Sequence, residues 1–406
     1  MRIAMISEHA SPLATLGGAD AGGQNAHVAE LSAALAAQGH EVRVYTRRDD
    51  PGPPAVVPLG PGVDVVHVPA GPAVTLPKDE LLPYMGDFAE QLAADWRTTW
   101  LPDVAHAHFW MSGLAAVTAG RSCDVPVVQT FHALGSVKRR HQGSADTSPP
   151  RRIAYERQLG HAVDRIVVQC QDEIRELILL GLPRTKMALI PSGVNTAVFT
   201  PDGPAAPHGG KQRILTVGRL VERKGFADVI RALTVVPGAE LVIAGGPPEG
   251  ADPYAQRLRE LARKYKVDDR VTLTGAVPAA DMPRWYRSAD VVVAAPWYEP
   301  FGLTPLEAMA CGVPVVGSAV GGIVDTVVDG ITGDLVPARD PRALGATLRR
   351  LLNDKTRRFS YGVAALDRAR HSYSWQRVAT QLTGLYANVA GLTRAAGSDE
   401  THEAVA

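Results

Sequence analysis

The sequence predicts an α/β protein with two doubly wound, Rossmann-like domains that face each other across a cleft. Short β-branched runs alternate with helical stretches, and this rhythm restarts after residue 212. The chain has 406 residues, whereas single hydrophobic cores stop growing at roughly 250–300 residues. Two domains, each with its own sheet, are therefore expected.

The first half contains apolar runs of the kind found in buried parallel strands. They are RIAMI, VRVYT, VDVVHV, VPVVQTF and RIVVQ. Residues 51–62 are rich in proline and glycine, and we interpret them as a surface loop between two strands. We assign residues 1–199 to the N-terminal domain.

A second set of apolar runs follows a linker rich in proline and glycine at residues 200–212. The runs are RILTV, ELVIAG, RVTLTG, VVVAAP and VPVVG, and helical patterns at 253–265 and 281–288 separate some of them. The C-terminal domain is therefore predicted at 213–372. A final helix at 373–392 is expected to pack back on the N-terminal domain, with a polar tail at 393–406.

Composition and charge exclude several classes of function. The formal net charge is zero, so the chain has no general basic field for nucleic acid or an anionic membrane. Three widely spaced cysteines and the lack of a signal sequence or long apolar run point to a cytoplasmic protein. A peripheral membrane contact and a homodimer stay open.

A glycine-rich loop, GGADAGGQN at residues 17–25, follows the first strand and opens a helix that ends near Gln38. Gly22 and Gly23 would let a phosphate approach the amide groups at the start of that helix. The alternative is a tight turn that needs glycine for conformational reasons only. The loop is too long for the glycine turn of a nicotinamide-dependent oxidoreductase.

Two cations lie in GRLVERKG, the loop that follows the strand RILTV. Arg219 and Lys224 could neutralise a diphosphate whose negative charge grows as a sugar bond breaks. The alternative is a solvated loop whose charge is balanced by Glu222. Neither alternative is excluded by this motif alone.

The segment WYEPFGLTPLEAMACGVPVV carries two glutamates, Glu299 and Glu307, after the strand VVVAAP. A carboxylate accepts hydrogen bonds from vicinal hydroxyls such as those of ribose or a hexose. Gly302 would allow the backbone close to a ligand. Glu307 has a second interpretation, because Thr304, Pro305 and Glu307 also fit a capping box with proline at the first helical position.

Together these three motifs resemble the retaining glycosyltransferases of family 4, which have the two-domain GT-B fold. The resemblance covers nearly the whole chain, and the N-terminal half is most similar to the inositol-phosphate N-acetylglucosaminyltransferases of mycothiol synthesis. Sucrose-phosphate synthases share the DAGGQN loop. The resemblance implies that the N-terminal domain binds the acceptor and the C-terminal domain binds the nucleotide-sugar donor.

The resemblance also implies roles for individual residues. His132, in TFHALG, would lie beside the transferred sugar, although a histidine at a strand end has a structural explanation too. The predicted catalytic set is His132, Arg219, Lys224 and Glu299. The predicted donor-binding set is Gly22, Gly23, Arg219, Lys224, Glu299, Phe301, Gly302, Leu303, Thr304 and Glu307.

The acceptor side departs from the resemblance at two positions. Phe109 and Ala133 stand where the inositol-phosphate enzymes have tyrosine and threonine, so two hydroxyl groups are lost. A different acceptor is therefore compatible with the sequence. Lys138, Arg139 and Arg140 keep the region basic, which leaves a phosphorylated or otherwise anionic acceptor open, and a solvated loop is the alternative. The predicted acceptor-binding set is His9, Asp20, Asn25, Lys78, Phe109, Ala133 and Arg151.

The resemblance therefore implies a retaining enzyme that transfers a hexose or N-acetylhexosamine from a UDP-sugar, with UDP-N-acetylglucosamine first, to a small hydroxylated acceptor with or without a phosphate group. No Asp-x-Asp occurs, which agrees with a site that needs no metal or other cofactor. The alternatives are a GDP-mannose-dependent mannosyltransferase, a GT-B sugar-nucleotide epimerase and a sugar-nucleotide-binding protein without turnover.

Overall fold

The computed structural model describes residues 1–14, 22–207, 209–246 and 252–391. Over these ranges the chain forms two α/β units, each built on one sheet with helices on its faces. The predicted fold class is confirmed. No helix in the described ranges is long and apolar enough to cross a membrane.

The first sheet, as described, has eight strands in the order β3-β4-β2-β1-β5-β6-β7-β8. The strands are β1 Arg2–Ile6, β2 Glu41–Arg47, β3 Val56–Gly60, β4 Val63–Val68, β5 Val104–His108, β6 Val127–Thr130, β7 Arg165–Val168 and β8 Met187–Leu189. Its helices are α1 Gly23–Ala36, α2 Met85–Thr98, α3 Trp110–Cys123, α4 Gly135–Gln142, α5 Arg152–Ala162 and α6 Gln171–Leu179. The described strands pair in parallel, except that β3 runs antiparallel to β4.

The second sheet, over its described strands, is parallel throughout and has the order β11-β10-β9-β12-β13-β14. The strands are β9 Gln212–Val217, β10 Ala239–Ala244, β11 Val271–Gly275, β12 Val291–Ala294, β13 Val315–Ser318 and β14 Gly333–Val336. Its helices are α7 Phe226–Leu233, α8 Pro253–Lys264, α9 Met282–Arg287, α10 Leu303–Ala310, α11 Gly321–Thr326, α12 Pro341–Asn353 and α13 Lys355–Ser372. A last helix, α14 Trp375–Val389, follows.

The structure contains strands that the sequence patterns did not predict. Part of the predicted surface loop at 51–62 is the edge strand β3, because Val56 and Val57 pair with β4 despite the prolines around them. Strand β5 was missed because two histidines, His106 and His108, interrupt its apolar pattern, although all five of its residues are buried. Strands β8 and β14 are short and were also missed.

Helix α14 returns from the second sheet to the first. Trp375, Val378, Leu382 and Tyr386 are buried in one hydrophobic cluster with residues of α1 and of the first sheet. The backbone continues this connection, since the Val194 amide donates to the Tyr373 carbonyl at 2.7 Å. The C-terminal helix therefore ties the two α/β units together.

The segment between the sheets lies along the second unit. The Ala206 amide donates to the Arg284 carbonyl at 2.8 Å, and Arg287 donates to the carbonyls of Pro204 and Thr200 at 2.9 and 3.1 Å. These bonds satisfy backbone groups of a segment that has no regular structure of its own.

We expect Trp375→Ala to destabilise the protein by about 3–5 kcal/mol, because it removes a buried aromatic side chain that is 5% exposed. The free energy of unfolding in urea is the measurement. Gly384→Ala is the control in the same helix, because an added methyl group there has no neighbour within 4 Å. Equal stabilities of the two variants would contradict this role of Trp375.

Candidate active site

The carboxyl ends of the two sheets face each other, and their loops meet. Phe301, in the loop after β12, places its ring 5.2 Å from the ring of His132, which follows β6. A side chain at Gly23, the first residue of α1, would come within 3.1 Å of Leu303. The predicted donor loops of both halves therefore converge at one place, where open parallel sheets bind ligands.

An ion pair joins the two predicted donor loops of the second unit. The Nζ atom of Lys224 lies 2.5 Å from Oε2 of Glu299. Burial would raise the pKa of Glu299, but the Lys224 ammonium and its hydrogen bond lower that pKa below its usual value. Glu299 is therefore a carboxylate at neutral pH, with a cation at its side. Arg219 is exposed in the same loop as Lys224.

Two glycines permit these loops to approach each other. Gly225 has φ +74°, and a side chain there would clash with the Ala295 carbonyl at the end of β12. Gly321 has φ +46°, and a side chain there would clash with the backbone of Glu299. The amide of Gly322 donates to the Glu299 carbonyl at 2.8 Å, which fixes the position of that residue.

Glu307 lies on α10, and its Oε2 atom accepts a hydrogen bond of 2.5 Å from the Tyr286 hydroxyl. Helix α10 begins at Leu303 with Gly302 as N-cap, so the capping-box interpretation is wrong. Thr304 lies inside the helix instead of capping it. Burial raises the pKa of Glu307 to about 7. The carboxyl group is thus held by one hydroxyl and retains further capacity to accept hydrogen bonds.

His132 belongs to a buried group of histidines. Its Nε2 atom lies 2.8 Å from Nδ1 of His108, and its ring contacts that of His27 at 5.1 Å. The His106 ring lies 4.3 Å from the His108 ring at an interplanar angle of 36°, and it bonds to the hydroxyl of Tyr386. Burial lowers the pKa of each of these four histidines, to about 3 for His27 and His106. All four are therefore neutral at physiological pH.

The neighbours of His108 determine which nitrogens carry protons. Nε2 of His108 lies 3.4 Å from the sulfur of Met5, which can only accept, so we assign the proton to that nitrogen. Nδ1 of His108 then accepts from Nε2 of His132. The remaining Nδ1 atom of His132 is buried and has no hydrogen-bond partner among the described residues. It is available to accept a hydrogen bond from a ligand hydroxyl.

Three of these histidines could also be considered as metal ligands. The nitrogens of His27, His108 and His132 lie within 4.8 Å of one another. However, His108 and His132 use one nitrogen each to bond to one another. A site that needs no metal or other cofactor stays a prediction from the sequence.

The predicted acceptor residues are only partly brought together. The rings of His9 and Phe109 are 4.8 Å apart, and the carbonyl of Ala133 accepts a 2.7 Å bond from Arg152. Asn25 instead holds the backbone of the glycine loop, because it accepts from the Gly22 amide and donates to the Ser11 carbonyl. Asp20 lies outside the described residues.

Arg151 is exposed and Lys78 is half-buried. Arg151 is exposed, with its guanidinium 5.4 Å from the Tyr155 ring, whereas the buried Arg152 has its guanidinium 5.0 Å from the Phe109 ring. Lys78 begins the single turn Lys78–Glu80 beside two acidic residues. The structure thus places Arg152, which the sequence did not predict, next to Phe109.

Residues 138–140, considered above as a solvated loop, lie on helix α4, and most of their charge is neutralised. Lys138 pairs with Asp146 at 3.0 Å and with Asp79 at 3.4 Å. Arg140 forms two bonds to Glu176, at 2.7 and 2.9 Å. Arg139 donates to a backbone carbonyl. Carboxylates from other parts of the chain therefore offset the positive charges of Lys138 and Arg140.

Sequence analysis missed residues that contact the predicted site residues directly or through one another. They are Met5, Glu8, His27, His108, Arg152 and Tyr286. The pattern HAH in β5 was the available signal, because two histidines in a strand with buried neighbours need partners. Except for Glu8, which bonds to the adjacent His9, the other residues of this set reach the site only through contacts between distant parts of the chain, which no local sequence pattern shows.

We expect the buried histidines to destabilise the fold in acid. They bind protons in the unfolded chain below about pH 6.5 but not in the folded one, so each lowers the free energy of unfolding by up to about 1.4 kcal/mol per pH unit. Glu173 and Glu307, whose pKa values burial raises to about 7, act in the opposite direction. His106→Gln should therefore reduce the slope of unfolding free energy against pH by about 1.4 kcal/mol per pH unit, which is the contribution of one proton.

The measurement is urea unfolding from pH 5 to pH 7. His371→Gln is the control, because the His371 side chain is 76% exposed and stays hydrated in both states. A His106→Gln slope equal to that of the unchanged protein would show that His106 is protonated in the folded state.

Comparison with known proteins agrees with this geometry. The family Glycosyltransferase Family 4 matches residues 21–198, and Glycosyl transferases group 1 matches residues 203–367. The chain is 36% identical over 402 residues to D-inositol 3-phosphate glycosyltransferase of Xylanimonas cellulosilytica, with 95% of this chain and 96% of the relative covered. The enzyme of the same name from Mycolicibacterium smegmatis is also 36% identical, with 95% and 90% covered.

Solved structures show the same fold. Sucrose-phosphate synthase from Thermosynechococcus elongatus superposes with a TM-score of 0.88 at 31% identity, with 96% of this chain and 99% of that chain covered. HepE from Anabaena, in complex with UDP and glucose, superposes with a TM-score of 0.74 at 18% identity, with 96% and 100% covered. The chain therefore belongs to glycosyltransferase family 4 and is a GT-B glycosyltransferase that uses a nucleotide sugar.

Proposed function

We propose that the protein is a retaining glycosyltransferase that moves a hexose or N-acetylhexosamine from a UDP-sugar to a small hydroxylated acceptor. UDP-N-acetylglucosamine is the first donor to test. The observation that carries this proposal is the Lys224 and Glu299 pair, 2.5 Å apart, between two strand-end loops that face His132. A cation for a diphosphate and a carboxylate for sugar hydroxyls are thus held side by side.

Each group has a defined role in this proposal. Arg219 and Lys224 bind the diphosphate, and Lys224 neutralises the charge that develops as the sugar departs. Glu307 accepts the hydroxyls of the ribose, and Glu299 those of the transferred sugar. The unpartnered Nδ1 atom of His132 accepts a further sugar hydroxyl.

The reaction proceeds on one face of the sugar. The bond between the anomeric carbon and the diphosphate oxygen breaks, and the acceptor oxygen bonds to that carbon from the same side. The acceptor proton passes to the departing phosphate oxygen, so no protein nucleophile is needed. Glu299 orients the sugar and stabilises positive charge on it, which is a positioning and electrostatic role.

The proposal is tested by a panel of UDP-, GDP- and ADP-sugars and NAD. Binding is measured by thermal shift, and release of nucleoside diphosphate is then measured with and without acceptors. We expect a UDP-sugar to bind and acceptor to be required for release. A response to GDP-mannose alone would favour a mannosyltransferase. Interconversion of the sugar without acceptor would favour an epimerase, and binding without any release a binding protein.

We expect binding of the UDP-sugar to strengthen as pH rises from 6 to 8. The pKa of Glu307 is raised to about 7 by burial, so the carboxylate that accepts ribose hydroxyls forms only across this range. A UDP-sugar suits this experiment because its diphosphate is esterified at both ends, so the charge of the ligand stays constant between pH 6 and 8. Glu307→Gln should bind more weakly and lose this pH dependence in titration calorimetry. A pH-dependent Glu307→Gln variant would contradict the role of Glu307.

We expect Lys224→Ala to lower kcat by roughly 100-fold, with a smaller effect on donor binding, because the leaving diphosphate is no longer neutralised. Steady-state kinetics with saturating acceptor give both values. Lys264→Ala is the control, since Lys264 is exposed on α8. If kcat is unchanged in Lys224→Ala, the loop cation has no part in the transfer.

A further inference from the structure

We propose that Glu8 is a positioning residue for acceptor binding, because it holds the His9 ring so that Nε2 of His9 accepts a hydrogen bond from an acceptor hydroxyl. This inference rests on the proposed function and specifies how one side of the acceptor is recognised. In that function the reacting hydroxyl gives its proton to the departing phosphate. The hydroxyl bound by His9 is therefore a neighbouring one on the same acceptor.

Glu8 is a buried acidic residue that lies two positions after the end of β1, with its side chain 0% exposed. The Ser112 hydroxyl, on α3, donates to its Oε2 atom, and Nδ1 of His9 lies 2.8 Å from its Oε1 atom. The Glu8 amide in turn donates to the Ser112 hydroxyl oxygen at 3.0 Å. Burial of a carboxyl group is costly unless its oxygens are bonded. Glu8 is thus fixed by α3 on one side and bonds to His9 on the other.

The Glu8 carboxylate determines which nitrogen of His9 carries a proton. An ionised carboxylate only accepts hydrogen bonds, so we assign the proton to Nδ1 of His9. In the neutral ring Nε2 is then an acceptor, and the hydroxyl that it binds must donate. The two nitrogens point in different directions, so Nε2 faces away from Glu8. It makes no hydrogen bond within the described ranges, and the His9 side chain is 11% exposed.

Phe109 restricts rotation of the His9 ring. The two rings meet edge to face, with centroids 4.8 Å apart and an interplanar angle of 65°. Phe109 has φ +83°, which is unfavourable for a residue with a side chain. Its amide donates to the Thr130 carbonyl at 2.9 Å, and its carbonyl accepts from Nε2 of Gln129 at 3.1 Å. These bonds hold the conformation that brings the Phe109 ring against His9.

His9 also lies near the residues proposed to bind the donor sugar. Burial is the main cause that lowers the pKa of His132, and repulsion by His27, His106 and His9 lowers that pKa further. The His132 ring in turn lies 5.2 Å from the Phe301 ring of the donor loop. A hydroxyl bound at Nε2 of His9 would therefore lie close to the transferred sugar, as a hydroxyl of the acceptor must.

The tautomer of His9 is measured directly in the protein without ligand. The experiment is a two-bond proton–nitrogen correlation spectrum of nitrogen-15-labelled protein at pH 8, with the His9 signal assigned by its loss in His9→Gln. We expect a neutral ring with its proton on Nδ1, and a shift of the tautomers toward Nε2 in Glu8→Leu. A proton on Nε2 in the unchanged protein, or an unchanged His9 signal in Glu8→Leu, would overturn the inference.

Kinetics test the consequence for the acceptor. The probes are myo-inositol, inositol 3-phosphate, glucose and glucose 6-phosphate, with UDP-N-acetylglucosamine as the first donor, and the acceptor that gives the greatest release is used. We expect Glu8→Leu to lower kcat/KM for this acceptor about 10-fold or more, because the His9 ring then has neither one orientation nor one tautomer. The dissociation constant of the donor, measured by titration calorimetry, should not change. An unchanged kcat/KM, or an equal loss of donor binding, would contradict a positioning role.

Two further variants separate positioning from structure. Glu8→Gln keeps an acceptor oxygen opposite Nδ1 of His9 and should lose far less kcat/KM than Glu8→Leu. An equal loss in both variants would show that the site requires the charge of Glu8 and not the position of His9. Glu90→Leu, the same change at an exposed position of α2, is the control. Thermal melting checks folding, and if Glu8→Leu does not fold, the spectrum of the unchanged protein and the kinetics of Glu8→Gln decide.

The two proposals fail in different ways, because the tautomer of His9 is measured without any substrate. Absence of nucleoside diphosphate release with every acceptor would reject the proposed function and, with it, the acceptor role of His9. Release together with a proton on Nε2 of His9 would leave the transferase function intact and reject only the role of Glu8.

Discussion

Two sheets, one parallel over its described strands and the other parallel except at its edge strand β3, are covered by helices on their faces and leave the strand ends as the main place for polar chemistry. In both halves the side chains proposed to act on the donor follow the carboxyl ends of strands, with Lys224 after β9, Glu299 after β12 and His132 after β6. Helix α14 crosses back onto the first sheet and holds the halves together. The ion pair between Lys224 and Glu299 then joins the two donor loops of the second unit, and Phe301 brings them against His132.

Charge is balanced locally as well as overall. Three cations of the first unit are paired with carboxylates. Glu156 pairs with Arg152 on the same helix, and Asp146 and Glu176 from other segments pair with Lys138 and Arg140. Such pairs cost free energy when one partner is removed.

The sequence predicted the strands best where their side chains were uniformly apolar. It missed β5, where His106 and His108 lie in a buried strand, because hydropathy patterns treat histidine as polar and cannot show that Tyr386 and His132 satisfy it. It also missed β3, because a strand at a sheet edge tolerates proline. The capping-box interpretation of Glu307 failed because spacing alone cannot show that the helix begins at Leu303, with Gly302 as its N-cap.

The sequence by itself determined the two-sheet α/β class, the strand-end position of the donor loops and the residue types suited to a nucleotide sugar. These depend on local pattern and on motifs whose members lie within a few residues of each other. Only the tertiary structure decided which cations are neutralised, which histidine nitrogen is left without a partner and which arginine lies beside Phe109. Ion pairing and burial arise between residues far apart in the chain, such as Asp79 with Lys138 and Tyr286 with Glu307, and no local pattern records them.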